Sequence, residues 1–180
     1  VSWPSWAVAD ARLEPIAADP ALTTVPAVLR AVYDEYARGE GKERSIDKTP
    51  QHTEHVALLD AAFPGSRFVH LVRDGRDAAA SLIAAGRSWG GWWAPRTVAR
   101  AAAMWRDHVL GARACATTNP YLELRYEDLR ADGTAALERG FAHCRIPTTP
   151  AECSELLASF TLDRMAAGDG SIVIGGAFKN

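Results

Sequence analysis

Arg67-Phe-Val-His-Leu-Val-Arg-Asp-Gly-Arg-Asp-Ala-Ala-Ala-Ser81 is the stretch from which the fold of this chain is read. The run Phe68 to Val72 is short and apolar, with Gly65-Ser66 before it and Arg73-Asp74-Gly75 after it. A strand buried on both faces of a parallel sheet has this pattern, because neither face is left to alternate with polar residues. A tight turn at Asp74-Gly75 and a helix of small residues, Asp77 to Ala85, are predicted to follow. The strand thus delivers Arg73 at its carboxyl end, immediately before a helix N-terminus. In open parallel sheets ligands bind outside such strand ends, where free N–H groups and the positive end of the helix dipole meet an anion. Arg73 adds a planar fork of donors and Ser81 a hydroxyl, so the stretch predicts an anion site. The competing reading makes Arg73, Asp74, Arg76 and Asp77 a solvated ion-pair cluster.

Working outward, Val1 to Thr24 is punctuated by Trp and Pro and reads as an irregular lead-in with one short helix. Thr24 caps a helix with Pro26 in its first turn and Val28, Leu29, Val32 and Tyr36 on one face, ending at Gly39. After Asp47-Lys48-Thr49-Pro50, residues Gln51 to Phe63 carry Val56, Leu58, Leu59, Ala62 and Phe63 at helical spacing, and Pro64-Gly65 ends them. Downstream, a Trp-rich loop, Ser88 to Trp93, precedes a long helix from Pro95 to Cys115 with Val98, Ala102, Trp105, Val109 and Ala112 on one side. Tyr121 to Tyr126 alternates and is predicted as a second strand. A helix from Asp132 to Cys144, a Pro/Thr linker and a helix to Phe160 follow, with a loop-rich tail from Gly168 to Asn180. Helices alternating with strands predict an α/β class, a three-layer parallel sheet with flanking helices, in a single domain over 1–180.

The 180 residues suffice for a core without disulfide or metal staples. A net charge of −2 excludes a global positive field for nucleic acid or an anionic membrane, so an anion site must be local. Seventeen of the 20 basic residues are Arg, which singles out Lys42, Lys48 and Lys179. Cys115, Cys144 and Cys153 are odd in number and lack a C-x-x-C spacing, as suits buried thiols in a reducing, cytoplasmic setting. No run of about 18 apolar residues predicts a membrane span, and no basic-then-apolar start predicts a signal peptide.

Val72-Arg-Asp-Gly-Arg-Asp-x-x-x-Ser81 resembles the segment by which sulfotransferases using 3′-phosphoadenosine 5′-phosphosulfate hold the nucleotide's 3′-phosphate. Asp47-Lys48-Thr49-Pro50, upstream of a helix and Phe-Pro-Gly-Ser-Arg-Phe68, is similar to bacterial members. Leu124-Arg-Tyr-Glu-Asp-Leu129 is similar to the strand whose Tyr lies near the adenine. The likeness runs from Asp47 to Met165. It implies a P-loop NTPase-like fold and transfer of a sulfuryl group from that donor to a hydroxyl or amine of a small molecule or glycan, with no metal. It implies further that Arg73 and Ser81 bind the 3′-phosphate, that Tyr126 contacts the adenine, and that Lys48 lies near the transferred group. A cation there would oppose charge growing on the oxygen between sulfur and phosphate, in a displacement ruled by positioning and electrostatics.

His52, four residues after Lys48, is the candidate general base, or else a capping or surface residue. His52 and His55 share a helix face but fail the H-E-x-x-H pattern and lack a third ligand, so no metal is expected. Trp89, Trp92 and Trp93, around Gly90-Gly91, form an acceptor wall or lid, or else a cover for the core. The family's glycine- and serine-rich loop for the 5′-phosphosulfate has no counterpart here. Gly175-Gly-Ala-Phe-Lys-Asn180 resembles the closing Gly-x-Trp-Lys-Asn segment with Phe178 in the Trp position. The chain is therefore expected to be an internal piece of a longer protein. Two other readings are a catalytically silent nucleotide-binding or scaffolding module derived from the family, and a P-loop kinase relative; the latter lacks a complete phosphate loop and a Mg²⁺ carboxylate. Oligomeric state is left open.

Overall fold

The computed structural model describes residues 10–114 and 120–160; the first nine residues, Cys115 and the tail with Phe178 and Lys179 lie outside them. The chain divides into two compact units, Val1–Pro50 and Gln51–Asn180. In the first, α1 (Asp10–Ala18) packs on α2 (Val25–Gly39). Thr24 caps α2 as its sequence predicts, its hydroxyl accepting from the Ala27 N–H at 3.3 Å, and Pro26 occupies the first turn, where no N–H partner is needed. Arg12 joins the two helices through the Glu35 carboxylate, 2.7 Å from Nε. Beyond α2, Gly41 turns the chain with φ +63°, a left-handed conformation that glycine adopts without steric cost.

A 3-10 turn, Pro50–Glu54, spans the division in the chain, and α3 (Val56–Ala62) follows in the second unit. The single helix expected over residues 51–63 divides at His55, whose φ −130° and ψ 18° leave helical space. Then come β1 (Phe68–Val72), α4 (Gly75–Gly86), α5 (Val98–Arg113), β2 (Tyr121–Arg125), α6 (Tyr126–Ala131), α7 (Gly133–His143) and α8 (Pro150–Ser159). Asp74 starts α4 earlier than the composition implies: its carboxylate accepts from the Arg76 N–H at 2.8 Å, so Gly75 is helical rather than part of a turn. Similarly, Tyr126 opens α6, a short helix the alternating pattern did not reveal. Thr149 and Glu152 form a reciprocal capping box at the start of α8.

β1 and β2 pair in parallel, in register from Phe68 with Tyr121 to Val72 with Arg125. Among the described residues the sheet has these two strands. Covered on both faces it is not. Leu124 is buried, with α7 close enough that a Cβ at Gly140 would touch its side chain at 3.6 Å. Its neighbours on that face of β1, Val69 and Leu71, remain 45% and 51% exposed, so the expected double burial of β1 is corrected to partial burial of the one face that carries Phe68, His70 and Val72. On the opposite face His70 meets Tyr121 and Glu123, and Arg113 of α5 reaches across to clasp Glu123 with its Nε and one terminal nitrogen, at 2.8 and 2.7 Å. α4 and α5 pack against one another, and Gly86 at the end of α4 admits the loop that leads into α5: a Cβ there would lie 2.6 Å from the Pro95 carbonyl oxygen.

Candidate functional site

The carboxyl ends of β1 and β2 lie side by side, because register places Val72 opposite Arg125. The residues that follow, Arg73 and Tyr126, therefore meet: the Arg73 guanidinium carbon sits 5.1 Å from the Tyr126 ring centroid, in cation–π geometry. Arg73 also reaches Asp77, one turn into α4, at 3.3 Å. Ser81 stands one further turn along α4, on the face that Asp77 occupies, and is exposed. The fold thus aligns Arg73, Asp77 and Ser81 along one side of a helix start, with Tyr126 against the guanidinium.

The Arg-Asp string does form ion pairs, as the competing reading expects. Asp74 holds Arg76 through two contacts at 3.0 and 2.9 Å, and hydrogen bonds from Arg76 keep its carboxyl well below the usual carboxylate range. Arg76 is thereby committed to the helix cap. Arg73 is engaged more loosely, in a pair whose side chains are 45% and 62% exposed, so an incoming anion has only a solvent-screened carboxylate to displace.

Two residues with no assigned role in the sequence reading support this end of the sheet. The Trp105 indole donates to the Arg73 carbonyl at 3.0 Å. Glu127 accepts from the Asp74 N–H at 2.8 Å, a bond that lowers its carboxyl below the ordinary value. Trp105 was legible only as one residue of an apolar helix face, and Glu127 only as a letter of Leu124-Arg-Tyr-Glu-Asp-Leu129; neither pattern tells where its polar atom points.

Lys48 belongs to the first unit, exposed on an irregular segment. The residue before it is anchored: Asp47 accepts from the Tyr33 hydroxyl at 2.5 Å and from the Thr49 hydroxyl at 2.7 Å. Partial burial, together with Asp47, pushes the Tyr33 phenol up to about 12, so it stays a donor at all physiological pH. His52 lies half-buried in the 3-10 turn, its carbonyl accepting from the His55 N–H at 2.9 Å. Among the described residues no group of three or more His, Cys, Asp or Glu is arranged to hold a metal. In the loop between α4 and α5, Trp89 and Trp92 are 74% and 90% exposed, so these two do not cover the core. Trp89 leans on Trp93 at 5.3 Å between ring centroids, while the loop is tied back by the Gly90 N–H donating to Ala85 at 2.8 Å.

No helix among the described residues is long and apolar enough to cross a membrane. No curated protein and no solved structure matches the chain. A family model described as "Sulfotransferase family" matches residues 7–150, a span that takes in α1, α2, the paired strands and every residue of the site, and leaves out residues 1–6 and those after Pro150. With four-fifths of its length matched, the chain belongs to the sulfotransferase family.

Proposed function

We propose that the chain transfers a sulfuryl group from 3′-phosphoadenosine 5′-phosphosulfate to a hydroxyl or amine of a small molecule or glycan. Family membership supports sulfuryl transfer in general. The observation that carries the choice of donor is the meeting of Arg73 with Tyr126 at the ends of two parallel strands. A guanidinium recognises a phosphate through paired, charge-assisted hydrogen bonds, and an aromatic ring beside it offers a surface to a base. A nucleotide bearing a phosphate near its base needs both at once. The first N–H groups of α4 are taken by the Asp74 and Glu127 carboxylates, so it is Ser81, on the face that begins at Arg73, that adds a further hydroxyl donor. The residues present therefore fit such a donor.

In this reading Arg73 and Ser81 hold the 3′-phosphate and Tyr126 lies against the adenine. Lys48 supplies positive charge to the leaving oxygen, and His52 takes the proton of the acceptor. The donor brings the activated sulfuryl group; the chain contributes alignment and fixed charge. The three-layer, P-loop-like architecture belongs to the same proposal, supported by a parallel strand pair whose first strand runs directly into a capped helix.

Two measurements test it. Titration calorimetry with adenosine 3′,5′-bisphosphate is expected to show binding. Incubation with ³⁵S-labelled donor and a panel of hydroxyl and amine acceptors is expected to show label transfer without added metal. Binding without transfer to any acceptor would favour the catalytically silent module instead, and absence of binding would remove the donor assignment.

A further inference from the structure

The peptide unit that joins Arg73 to Asp74 is held at both polar ends by side chains from different elements. Its carbonyl accepts from Trp105 of α5 at 3.0 Å, and its N–H donates to Glu127 of α6 at 2.8 Å. A peptide unit is planar, so a bond at each end fixes the orientation of the whole plane. That plane sets how Arg73 leaves β1 and how Asp74, the cap of α4, enters the helix. A third contact restrains the next residue: the Trp105 ring lies over Gly75 so closely that a Cβ there would stand 3.1 Å from two ring carbons.

We infer that Trp105 and Glu127 are positioning residues, a two-sided clamp that holds the Arg73 side chain and the first turn of α4 in their binding geometry before a ligand arrives. The inference rests on the donor-site reading of Arg73. Its physical content is preorganisation: a guanidinium on an exposed strand end loses rotational freedom on binding, and a backbone already fixed from two sides reduces that loss. Glu127 does this with a single oxygen. Its Oε2 is buried without a hydrogen-bond partner and lies 3.6 Å from the Arg125 Nε, so the clamp needs an acceptor rather than a carboxylate.

The chemistry of each bond provides its own control. Trp105→Phe keeps a ring over Gly75 and removes the donor; Glu127→Ala removes the acceptor, and Glu127→Gln restores one. In the full chain, calorimetry with adenosine 3′,5′-bisphosphate is expected to show about three- to tenfold weaker binding for Trp105→Phe and for Glu127→Ala. Glu127→Gln should recover most of the affinity. The double variant should lose less than the product of the two single losses, because a plane freed at one end is no longer held at the other. Hydrogen exchange at the Asp74 amide, followed by NMR, reads the clamp without any ligand: it should quicken in Glu127→Ala and return in Glu127→Gln. Unchanged affinity in both single variants, with melting temperatures lowered, would overturn the positioning role and leave a structural one. Failure of the wild-type chain to bind the bisphosphate would overturn the donor reading and the clamp's purpose together, whereas unaltered Asp74 exchange in Glu127→Ala would overturn the clamp alone.

Discussion

Arg73 has three relationships within a few ångströms: a carboxylate, an aromatic face and an indole on its own carbonyl. Removing its side chain leaves the backbone contacts intact, so Arg73→Ala is expected to weaken bisphosphate binding by about 1.5–3 kcal/mol, the range for a lost charged hydrogen-bonding partner. Calorimetry on the variant checks this, and an unaltered affinity would end the assignment. Lys48 is proposed for a different task, and its variant should separate from the first. Lys48→Ala should lower kcat far more than it raises the donor Kd, since charge on a leaving oxygen matters only as the bond breaks. Equal losses in kcat and affinity would make Lys48 a binding group only. The types and spacing of these residues were readable directly, because a guanidinium at a strand end and a hydroxyl two helical turns away follow from position alone. The Arg73 contact with Tyr126 was not, since it joins residues 53 apart in the chain through strand register.

At the scale of elements, the Thr24 cap and the start at Asp132 were legible, whereas the helices expected from Gln51, Asp77 and Pro95 begin at Val56, Gly75 and Val98. Thr24, Thr97 and Thr149 each cap a helix through a bond to a backbone N–H three residues on, a local interaction that needs no tertiary partner. Where the reading slipped, a neighbour had intervened. Tyr126 begins a helix although the alternation before it favours continued strand, and Glu127, within that helix, holds the Asp74 N–H. Glycines show the same division. Gly86 would be read as a helix end, yet its lack of a side chain is what lets the Ala94–Pro95 backbone approach. Gly86→Ala places a methyl within 2.6 Å of one carbonyl oxygen and 2.9 Å of another, neither of which a side-chain rotation can relieve. Its cost is expected at about 1–3 kcal/mol, measurable as a lower urea midpoint at unchanged slope. A midpoint equal to wild type would mean that the Ala94–Pro95 backbone approaches α4 less closely than these distances imply.

At the scale of the whole molecule, pH acts on stability partly through a cluster of the second unit, His70, Tyr121, Glu123 and Arg113. Arg113 holds the Glu123 carboxyl at about 2 in the fold, against an ordinary 4.5. A depressed carboxylate contributes stability that is complete above 4.5 and is lost as the pH falls towards 2. His70 works over a higher window. Burial lowers its pKa below 6.5, so beneath that value the unfolded chain binds more protons and acidification draws the equilibrium towards it. Urea unfolding followed from pH 7 to pH 2 should therefore lose stability first below about 6.5 and again between 4.5 and 2. In Glu123→Gln the second loss should be smaller than in wild type. Identical pH slopes for the two proteins in that window would show that the Arg113–Glu123 pair contributes nothing to stability.

By itself the sequence determined where most of the helices and both described strands fall, though not every start, because capping, periodicity and charge act within a few residues. Three motifs in order were enough to reach the family. Only the tertiary structure decided that β1 and β2 lie in register, and with that which side chains share a space. Register brings Tyr126 to Arg73, sets Glu123 opposite His70 and leaves Val69 and Leu71 half exposed. The physical reason is that pairing two strands separated by α4 and α5 depends on contacts between residues about 50 apart in the chain. The free energy of such pairing comes from hydrogen bonds and packing that no local pattern encodes.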